Sequence, residues 1–451
     1  MIKSPPIVAC YKKHPTLSLL FFLILVQSFG LAWYGFCLFK TGYLPIPFVD
    51  DKNDTFMDFF HTLFWSVREG SYSEWGSVYP PLTFIFLKLV TWMIGISEQF
   101  PDAFSLRENC PKFQHFIVSL YILIPALCFF SKDWNRFLKP QKTLIYLLLI
   151  TSAPFLFGME RGNLIVITLP LISLLLSVEN RNLQAWILAI LINLKPYFLV
   201  LTFLFILRDS WKSLISTLIY SGFIFLITGW ALEPDFILLF SNIIAHSENA
   251  DTLFSIRTIL ALPSTISVFS HVLKSDIAQN SRLLSQLPLN FSVLSSAVVL
   301  LNQLTLAACA GVIWLNRSKL KDQQVIAALL IIITNWLLNI GGYSLLFYLP
   351  ILPVLSELRF SKCFLIIICV LSAPLDWIVI FRGPLEQQFS FLAGTPIIFH
   401  WELGLGSLLR PILNFSLLLG ITIEFFQLID FNFIIRRFDT HPILKGASTR
   451  E

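Results

Sequence analysis

The stretch LSLLFFLILVQSFGLAWYGFCLF, residues 17–39, contains no charged side chain. A helix of about 20 apolar residues is long enough to cross the hydrocarbon core of a bilayer. The run is too long and too aromatic for the core of a signal peptide, and no small-residue cleavage site follows it. We therefore expect an uncleaved first membrane span.

The bias toward apolar residues extends over the whole chain. Hydrophobic residues make up 56% of the 451 residues, only 13% are charged, and the mean hydropathy is +0.75. A soluble domain lacks the interior to cover this much apolar surface, whereas lipid covers it. The sequence predicts an all-α fold, a polytopic transmembrane helical bundle of about twelve spans. We expect it to form one integral-membrane domain over residues 1–451.

The basic residues predict the orientation of this bundle. Three lysines precede the first apolar run, and later loops at 208–212, 316–321 and 357–362 are also basic. Because basic loops stay on the cytoplasmic side, both termini are expected there. The long segments 40–79 and 233–290 then lie outside, the first with a juxtamembrane helix.

One basic segment, residues 131–142, conflicts with this scheme, because simple alternation of the spans places it outside. A second count removes the conflict. In that count the run 80–96 does not fully cross, and the run 184–207 breaks at Lys195-Pro196 into two half-crossings. A membrane tolerates a broken helix only where protein or a water-filled cavity surrounds it. Both counts remain open, and the second is favoured.

Cysteine spacing and charge distribution argue against two classes of partner. The seven cysteines have neither CxxC nor metal-ligand spacing, so the sequence predicts no metal site. The basic residues lie at the ends of apolar runs and form no continuous stripe, so no nucleic-acid partner is expected.

Acidic residues are concentrated in the stretch DDKNDTFMDFFH, residues 50–61. Asp54 and Asp58 are four residues apart and would share one face of a helix. Asn53 is a plausible N-cap, and the apolar residues on the other side predict a helix lying at the bilayer interface. The alternative is a solvated, charged loop.

Three cations interrupt or flank apolar runs. Arg161 lies in GMERGNLIV, residues 158–166, and its guanidinium matches phosphate; the alternative is a turn with a Glu160–Arg161 ion pair. Lys195 lies within an apolar run, where a charge costs about 2.5–3.5 kcal/mol, so it needs an anion, a water-filled cleft or a partner such as Glu160. Lys88 either reaches the membrane surface or faces a cavity.

The aspartates are followed in order by Tyr79-Pro80-Pro81, Arg161-Gly162-Asn163 and Lys195-Pro196-Tyr197. This order resembles the GT-C superfamily of membrane glycosyltransferases, which use polyprenyl-phosphate sugars. The nearest likenesses are the bacterial alpha-mannosyltransferases with a YPP signature and the catalytic subunit of the first GPI mannosyltransferase. The likeness covers about residues 45–210. Related bacterial enzymes carry a histidine near a later span, whereas the comparable stretch here, residues 335–350, contains none, and Tyr343 is the candidate to fill that position sterically.

The resemblance implies the inverting transfer of a sugar, mannose by family precedent, from a polyprenyl-phosphate donor. The acceptor is a hydroxyl of a glycan or glycolipid. The reaction is expected on the non-cytoplasmic side of a bacterial inner membrane. No metal cofactor is required. The catalytic carboxylate is Asp54 or Asp58, with Asp54 the better match by spacing. Arg161, Lys195 and, in reserve, Lys88 bind the donor phosphate. Supporting residues are Tyr79, Glu160, Asn163, Tyr197 and Tyr343.

Other classes of function remain open. A transporter or flippase of lipid-linked glycans would use intramembrane charges such as Asp376 and Glu424. A structural subunit of a polysaccharide assembly complex is a third possibility.

Overall fold

The computed structural model describes residues 15–44, 53–95, 100–248, 262, 291–336, 341–375 and 378–429. Both termini, and with them the predicted cytoplasmic location of the chain ends, lie outside the described residues. Most of the predicted outer loop 233–290 lies outside them as well.

Helices dominate the described part of the chain. In chain order they are α1 (Pro15–Thr41), α2 (Met57–Ser66), α3 (Pro81–Ile94), α4 (Ala103–Asn109), α5 (Pro111–Cys128), α6 (Lys139–Ile150), α7 (Ala153–Arg161), α8 (Thr168–Ser177), α9 (Arg181–Leu194), α10 (Phe203–Leu207), α11 (Trp211–Leu232), α12 (Leu239–Glu248), α13 (Phe291–Leu315), α14 (Asp322–Trp336), α15 (Tyr348–Leu355), α16 (Ser361–Ser372) and α17 (Leu405–Phe426). Short 3-10 helices lie at Lys132–Arg136, Leu164–Ile167, Pro196–Thr202, Pro234–Leu238 and Gly342–Phe347.

Five of these helices are long and apolar enough to cross a membrane: most of α1, then α5, α11, most of α13, and α17. The helices α6 and α7 pass the same test together, with a bend of 51° between them, which gives up to six spans. The protein is therefore a membrane-embedded helical protein. The predicted twelve spans are not shown, because several apolar helices have only 10–17 residues.

The prediction of an all-α fold is wrong at one place. The strands β1 (Val379–Ser390) and β2 (Thr395–Gly404) form an antiparallel hairpin. The turn contains Gly394 at φ 66°, a left-handed conformation that glycine adopts without strain. Pro384 and Pro396 lie within the strands, which is tolerated because both strands of a two-stranded sheet are edges.

The hairpin is attached to the end of the first span. The Ser390 hydroxyl donates a hydrogen bond of 2.7 Å to the Gly42 carbonyl. Ile397 is buried in a small cluster with Tyr43 and Phe157. The hairpin therefore lies at the same end of the bundle as the segment that follows α1.

The basic loops meet at the other end of the bundle, around Asp322. Its carboxylate binds Arg181 and Arg208, each at 2.6 Å. Arg208 also donates to the Arg317 carbonyl. We call this region, with residues 316–322 and 356–362, the basic end.

The segment 131–142, which caused the topological conflict, also lies at the basic end. Phe137 lines one cavity together with Ser361 and Lys362. All described basic loops therefore share one side, as the second count predicts.

The predicted break at Lys195-Pro196 is confirmed. Helix α9 ends at Leu194, Lys195 is extended (φ −146°, ψ 112°), and Pro196 opens a 3-10 helix. A helix of 14 residues is about 20 Å long. Lys195 therefore lies far from Arg181, and the chain then returns to Arg208 at the basic end.

The segment that contains α3 also begins and ends on one side of the bundle. Tyr79, two residues before the start of α3, lies close to Asp58. After it, Phe104 packs on His61 with ring centroids 5.7 Å apart. Both ends of this segment thus lie beside the acidic segment, as expected for a run that does not fully cross.

Glu233, at the end of α11, fixes the first outer segment. Its carboxylate accepts hydrogen bonds from the backbone N–H groups of Gly70 (2.8 Å), Ser71 (3.1 Å) and Tyr72 (2.9 Å). The Tyr72 hydroxyl in turn donates to the Tyr79 carbonyl at 2.8 Å. The loop before α3 is therefore held by one buried carboxylate.

Glu424, a residue of the transporter hypothesis, caps another helix. Its carboxylate accepts from the backbone N–H groups of Arg359 (2.8 Å) and Phe360 (3.2 Å), just before α16. Asp376 lies outside the described residues.

We expect Glu233→Gln to lower the free energy of unfolding by about 1–3 kcal/mol, because the amide presents its own N–H donors to backbone donors. The measurement is the thermal unfolding midpoint of the purified protein in detergent. Glu74→Gln, at an exposed position of the same loop, is the matched control and should leave the midpoint unchanged. Equal midpoints for both variants would contradict the structural role of Glu233.

Candidate active site

The helix in the acidic segment begins later than the sequence predicts. Helix α2 starts at Met57, and the residue before it, Phe56, is left-handed at φ 63°. Asn53 is therefore not the N-cap. Asp54 precedes the helix, and Asp58 lies in its first turn.

Helix α2 is buried in the protein core, and its position relative to the bilayer interface stays a prediction. Phe59, Phe60 and Leu63 are at most 1% exposed. The Phe59 and Phe113 ring centroids are 6.0 Å apart. The apolar side of the helix therefore packs on protein, and its polar side faces the candidate site.

A tight turn after α7 delivers Arg161 and Asn163. Gly162 is left-handed at φ 68°, and a Cβ there would lie 2.9 Å from the Phe59 Cβ and 3.1 Å from the Phe56 carbonyl oxygen. Only glycine fits both the conformation and the space. The Arg161-Gly162-Asn163 turn is thus locked against the start of α2.

Both aspartates meet this turn. Arg161 Nη2 forms an ion pair with Asp54 and lies 3.7 Å from Asp58 Oδ1. Asp58 Oδ2 accepts a hydrogen bond of 2.8 Å from the Asn163 amide. The side chains of Arg161, Asp54 and Asp58 are 17%, 21% and 24% exposed, so a substrate can reach them.

Lys195 reaches the same cluster from the break after α9. Its Nζ lies 4.2 Å from the centroid of the Tyr79 ring, a cation–π contact. Its charge also acts on Asp58. Residues from four separate segments thus form one cluster, which we call the acid–cation cluster: Asp54, Asp58, Tyr79, Arg161, Asn163 and Lys195.

Tyrosines line this cluster. The hydroxyls of Tyr79 and Tyr343 interact with the Asn163 carboxamide. Tyr343 stacks on Phe157 with ring centroids 5.7 Å apart, and Tyr197 lies near Tyr343. Tyr343 therefore brings a hydroxyl group to the acid–cation cluster.

Glu160 supports the cluster from its buried side. Its carboxylate accepts a hydrogen bond from the Tyr43 hydroxyl, and its backbone carbonyl accepts from the Phe56 N–H at 2.6 Å. The Tyr43 hydroxyl is also 2.8 Å from the Thr55 hydroxyl. These bonds connect the residue that follows α1 with Thr55 and Phe56, which lie between Asp54 and Asp58.

The structure does not bring Lys88 to the cluster. Lys88 is exposed on α3 beside the exposed apolar residues Leu89 and Trp92. It lies nine residues after Tyr79, about 13 Å along a helix. A role for Lys88 in binding the donor phosphate is therefore not supported by its position.

The environment of Asp58 suits proton uptake. Burial raises the pKa of the Asp58 carboxyl above its ordinary value, while the Asn163 hydrogen bond and the Lys195 charge act in the opposite direction. A carboxylate with a raised pKa is a better base than one held by a cation alone. Asp54, by contrast, is bound directly by Arg161.

Sequence reasoning missed two residues beside the cluster, Tyr43 and Arg107. Tyr43 follows the first span without any distinctive pattern. Arg107 lies in a short polar stretch between apolar runs, where an arginine is ordinarily exposed, yet it is fully buried. Only the three-dimensional structure reveals that both contact the segment of Asp54. Among the described residues, no group of three or more His, Cys, Asp or Glu side chains is placed to hold a metal ion.

Comparison of the chain with protein-family models, with curated proteins and with solved structures finds no match.

Proposed function

We propose that this protein is a membrane glycosyltransferase of the GT-C type, which moves a sugar from a polyprenyl-phosphate donor to an acceptor hydroxyl. The observation that carries the proposal is the acid–cation cluster. Asp54 and Arg161 are 107 residues apart in sequence and form an ion pair, and Asp58 lies within reach of both Arg161 and Lys195. Glycosyl transfer from a phosphate needs this combination of carboxylates and cations.

The cations serve the leaving group. When the bond between the anomeric carbon and the phosphate oxygen breaks, its electron pair leaves with the lipid phosphate. Arg161 and Lys195 stabilise the charge that develops there. The guanidinium presents several N–H donors to phosphate oxygens, and the ammonium acts as a point charge.

The carboxylates serve the nucleophile. The acceptor oxygen forms a bond to the anomeric carbon on the face opposite the leaving phosphate, which inverts the configuration. Its proton passes to Asp58, the carboxylate whose surroundings favour proton uptake. Asp54 holds the Arg161 guanidinium in place. This reverses the order of preference that sequence spacing gave to the two aspartates.

The membrane arrangement proposed from the sequence fits this reaction. In the second count, short helices such as α8 and α15 cross in series with the long ones, the runs 80–96 and 184–207 do not fully cross, and both termini lie in the cytoplasm. The cluster then faces the outside of a bacterial inner membrane. Mannose as the sugar and a glycan or glycolipid as the acceptor follow from the resemblance alone.

We expect Asp58→Asn to reduce the turnover number about 10²–10⁴-fold, the usual contribution of a general base. The assay follows consumption of a radiolabelled polyprenyl-phosphate sugar by purified protein with candidate acceptors. Glu74→Gln, an exposed carboxylate in the same outer segment, is the control and should retain full turnover. Intact donor after incubation with wild-type protein and the whole set of sugars would refute the proposed function.

The rate should depend on pH through Asp58. Because its pKa is raised, Asp58 becomes protonated at a higher pH than an ordinary aspartate, and turnover falls as the pH drops through that value. Asn163→Ser removes the amide that lowers this pKa, so the acidic limb should move to higher pH. The measurement is turnover number against pH for both proteins. An acidic limb that is unchanged in Asn163→Ser would contradict the assignment of the base.

A further inference from the structure

Arg107 has an environment that an arginine occupies only with specific partners. The side chain is fully buried, with 0% of its surface exposed. Burying a guanidinium is costly unless it is hydrogen-bonded or paired. Its described partners therefore indicate what the residue does.

Its hydrogen-bond acceptors include the two residues on either side of Asp54, and Glu108 Oε1 lies 3.9 Å from Nη2. Nη1 donates to the backbone carbonyls of Asn53 and Thr55, the latter at 2.9 Å. Nη2 donates to the Asn53 side-chain oxygen at 3.1 Å. One planar fork thus binds the chain immediately before and immediately after the carboxylate that holds Arg161.

The hairpin covers this contact. The Phe391 ring, in the turn between β1 and β2, lies 3.9 Å from the Arg107 guanidinium carbon. Phe104 provides a second ring, at 5.3 Å. The same Phe391 contacts Phe56, the left-handed residue before α2, with ring centroids 6.4 Å apart. The hairpin turn therefore closes Arg107 and the backbone around Asp54 on one side.

We propose that Arg107 is a positioning residue, which fixes the backbone on both sides of Asp54 and, through Asp54, the guanidinium of Arg161. The inference rests on the proposed function for its catalytic consequence. The positioning itself is a property of the protein alone. Arg107 binds carbonyls on both sides of Asp54, so it sets both the position and the direction of that carboxylate.

Lysine does not reproduce this contact, because an ammonium group lacks the planar fork in which Nη1 binds the two carbonyls while Nη2 binds the Asn53 side-chain oxygen. We expect Arg107→Lys to lower the turnover number about 10–100-fold, the scale of a misplacement of about 1 Å. The Michaelis constant for the donor should change less than the turnover number. The acidic limb of the pH profile should stay in place, because Asn163 and Lys195, which act on the pKa of Asp58, are not among the described contacts of Arg107.

Arg208→Lys is the matched control. Arg208 also donates to two backbone carbonyls, those of Arg317 and Leu320, but at the basic end of the bundle. We expect it to lower the thermal midpoint and to leave the turnover number within about twofold. If Arg107→Lys lost no more activity than Arg208→Lys at equal loss of stability, the positioning role would be overturned.

A second measurement does not depend on activity. Hydrogen–deuterium exchange of peptides that cover residues 53–60 should speed up in Arg107→Lys and stay at the wild-type rate in Arg208→Lys. Unchanged exchange in Arg107→Lys would overturn the proposal, whatever the activity. If exchange changes but wild-type protein consumes no polyprenyl-phosphate sugar, the positioning holds and the proposed function fails.

Phe391→Leu provides a milder variant in case Arg107→Lys does not fold. It retains the arginine and removes the ring above it, which ends the cation–π contact. We expect faster exchange over residues 53–60, with a smaller effect than Arg107→Lys. Exchange at the wild-type rate would contradict the closure of this segment by the hairpin.

Discussion

The ion pair between Arg161 and the two aspartates is the interaction on which the candidate site depends. Two carboxylates this close repel each other unless a cation lies between them. Arg161 supplies that cation, and the left-handed Gly162 allows the turn to approach α2 closely enough for it to do so. The turn after α7 and the start of α2 are therefore held together in two ways. Arg161 binds the two aspartates, and Gly162 packs against Phe59 beside this ion pair.

The rest of the bundle can be understood as two charged ends joined by apolar helices. At the basic end, Asp322 binds Arg181 and Arg208, which flank the run that breaks at Lys195. Both flanks of this run lie at the basic end, and the break at Lys195-Pro196 lies at the opposite end. That break places Lys195 beside Asp58 and allows a lysine in an otherwise apolar run to reach a polar cluster. Because Lys195 lies in this polar cluster, its ammonium group is not surrounded by lipid.

The sequence predicts the charged residues of the candidate site well, because charges are rare in this chain and a charge in an apolar run requires a compensating partner. Arg161, Lys195 and the aspartates were identifiable on that ground. Three features were not. The start of α2 depends on the left-handed Phe56, which carries no sequence signal. The hairpin has two edge strands, so its prolines argued against strands without excluding them. Arg107 resembles an ordinary loop arginine until the contacts of both flanking carbonyls are seen.

The geometry of Arg161 also shows how one cation can serve both the protein and a substrate. The two described carboxylate contacts both involve Nη2. A guanidinium carries five N–H donors in a fixed plane, so a group bound at one edge leaves donors directed elsewhere. A phosphate approaching from the Lys195 side would meet a cation that is already oriented. Orientation before binding removes the reorganisation that otherwise weakens electrostatic stabilisation of a leaving group. In the proposed reaction the aspartates thus serve substrate binding as well as proton transfer, since their contacts with Nη2 orient the guanidinium.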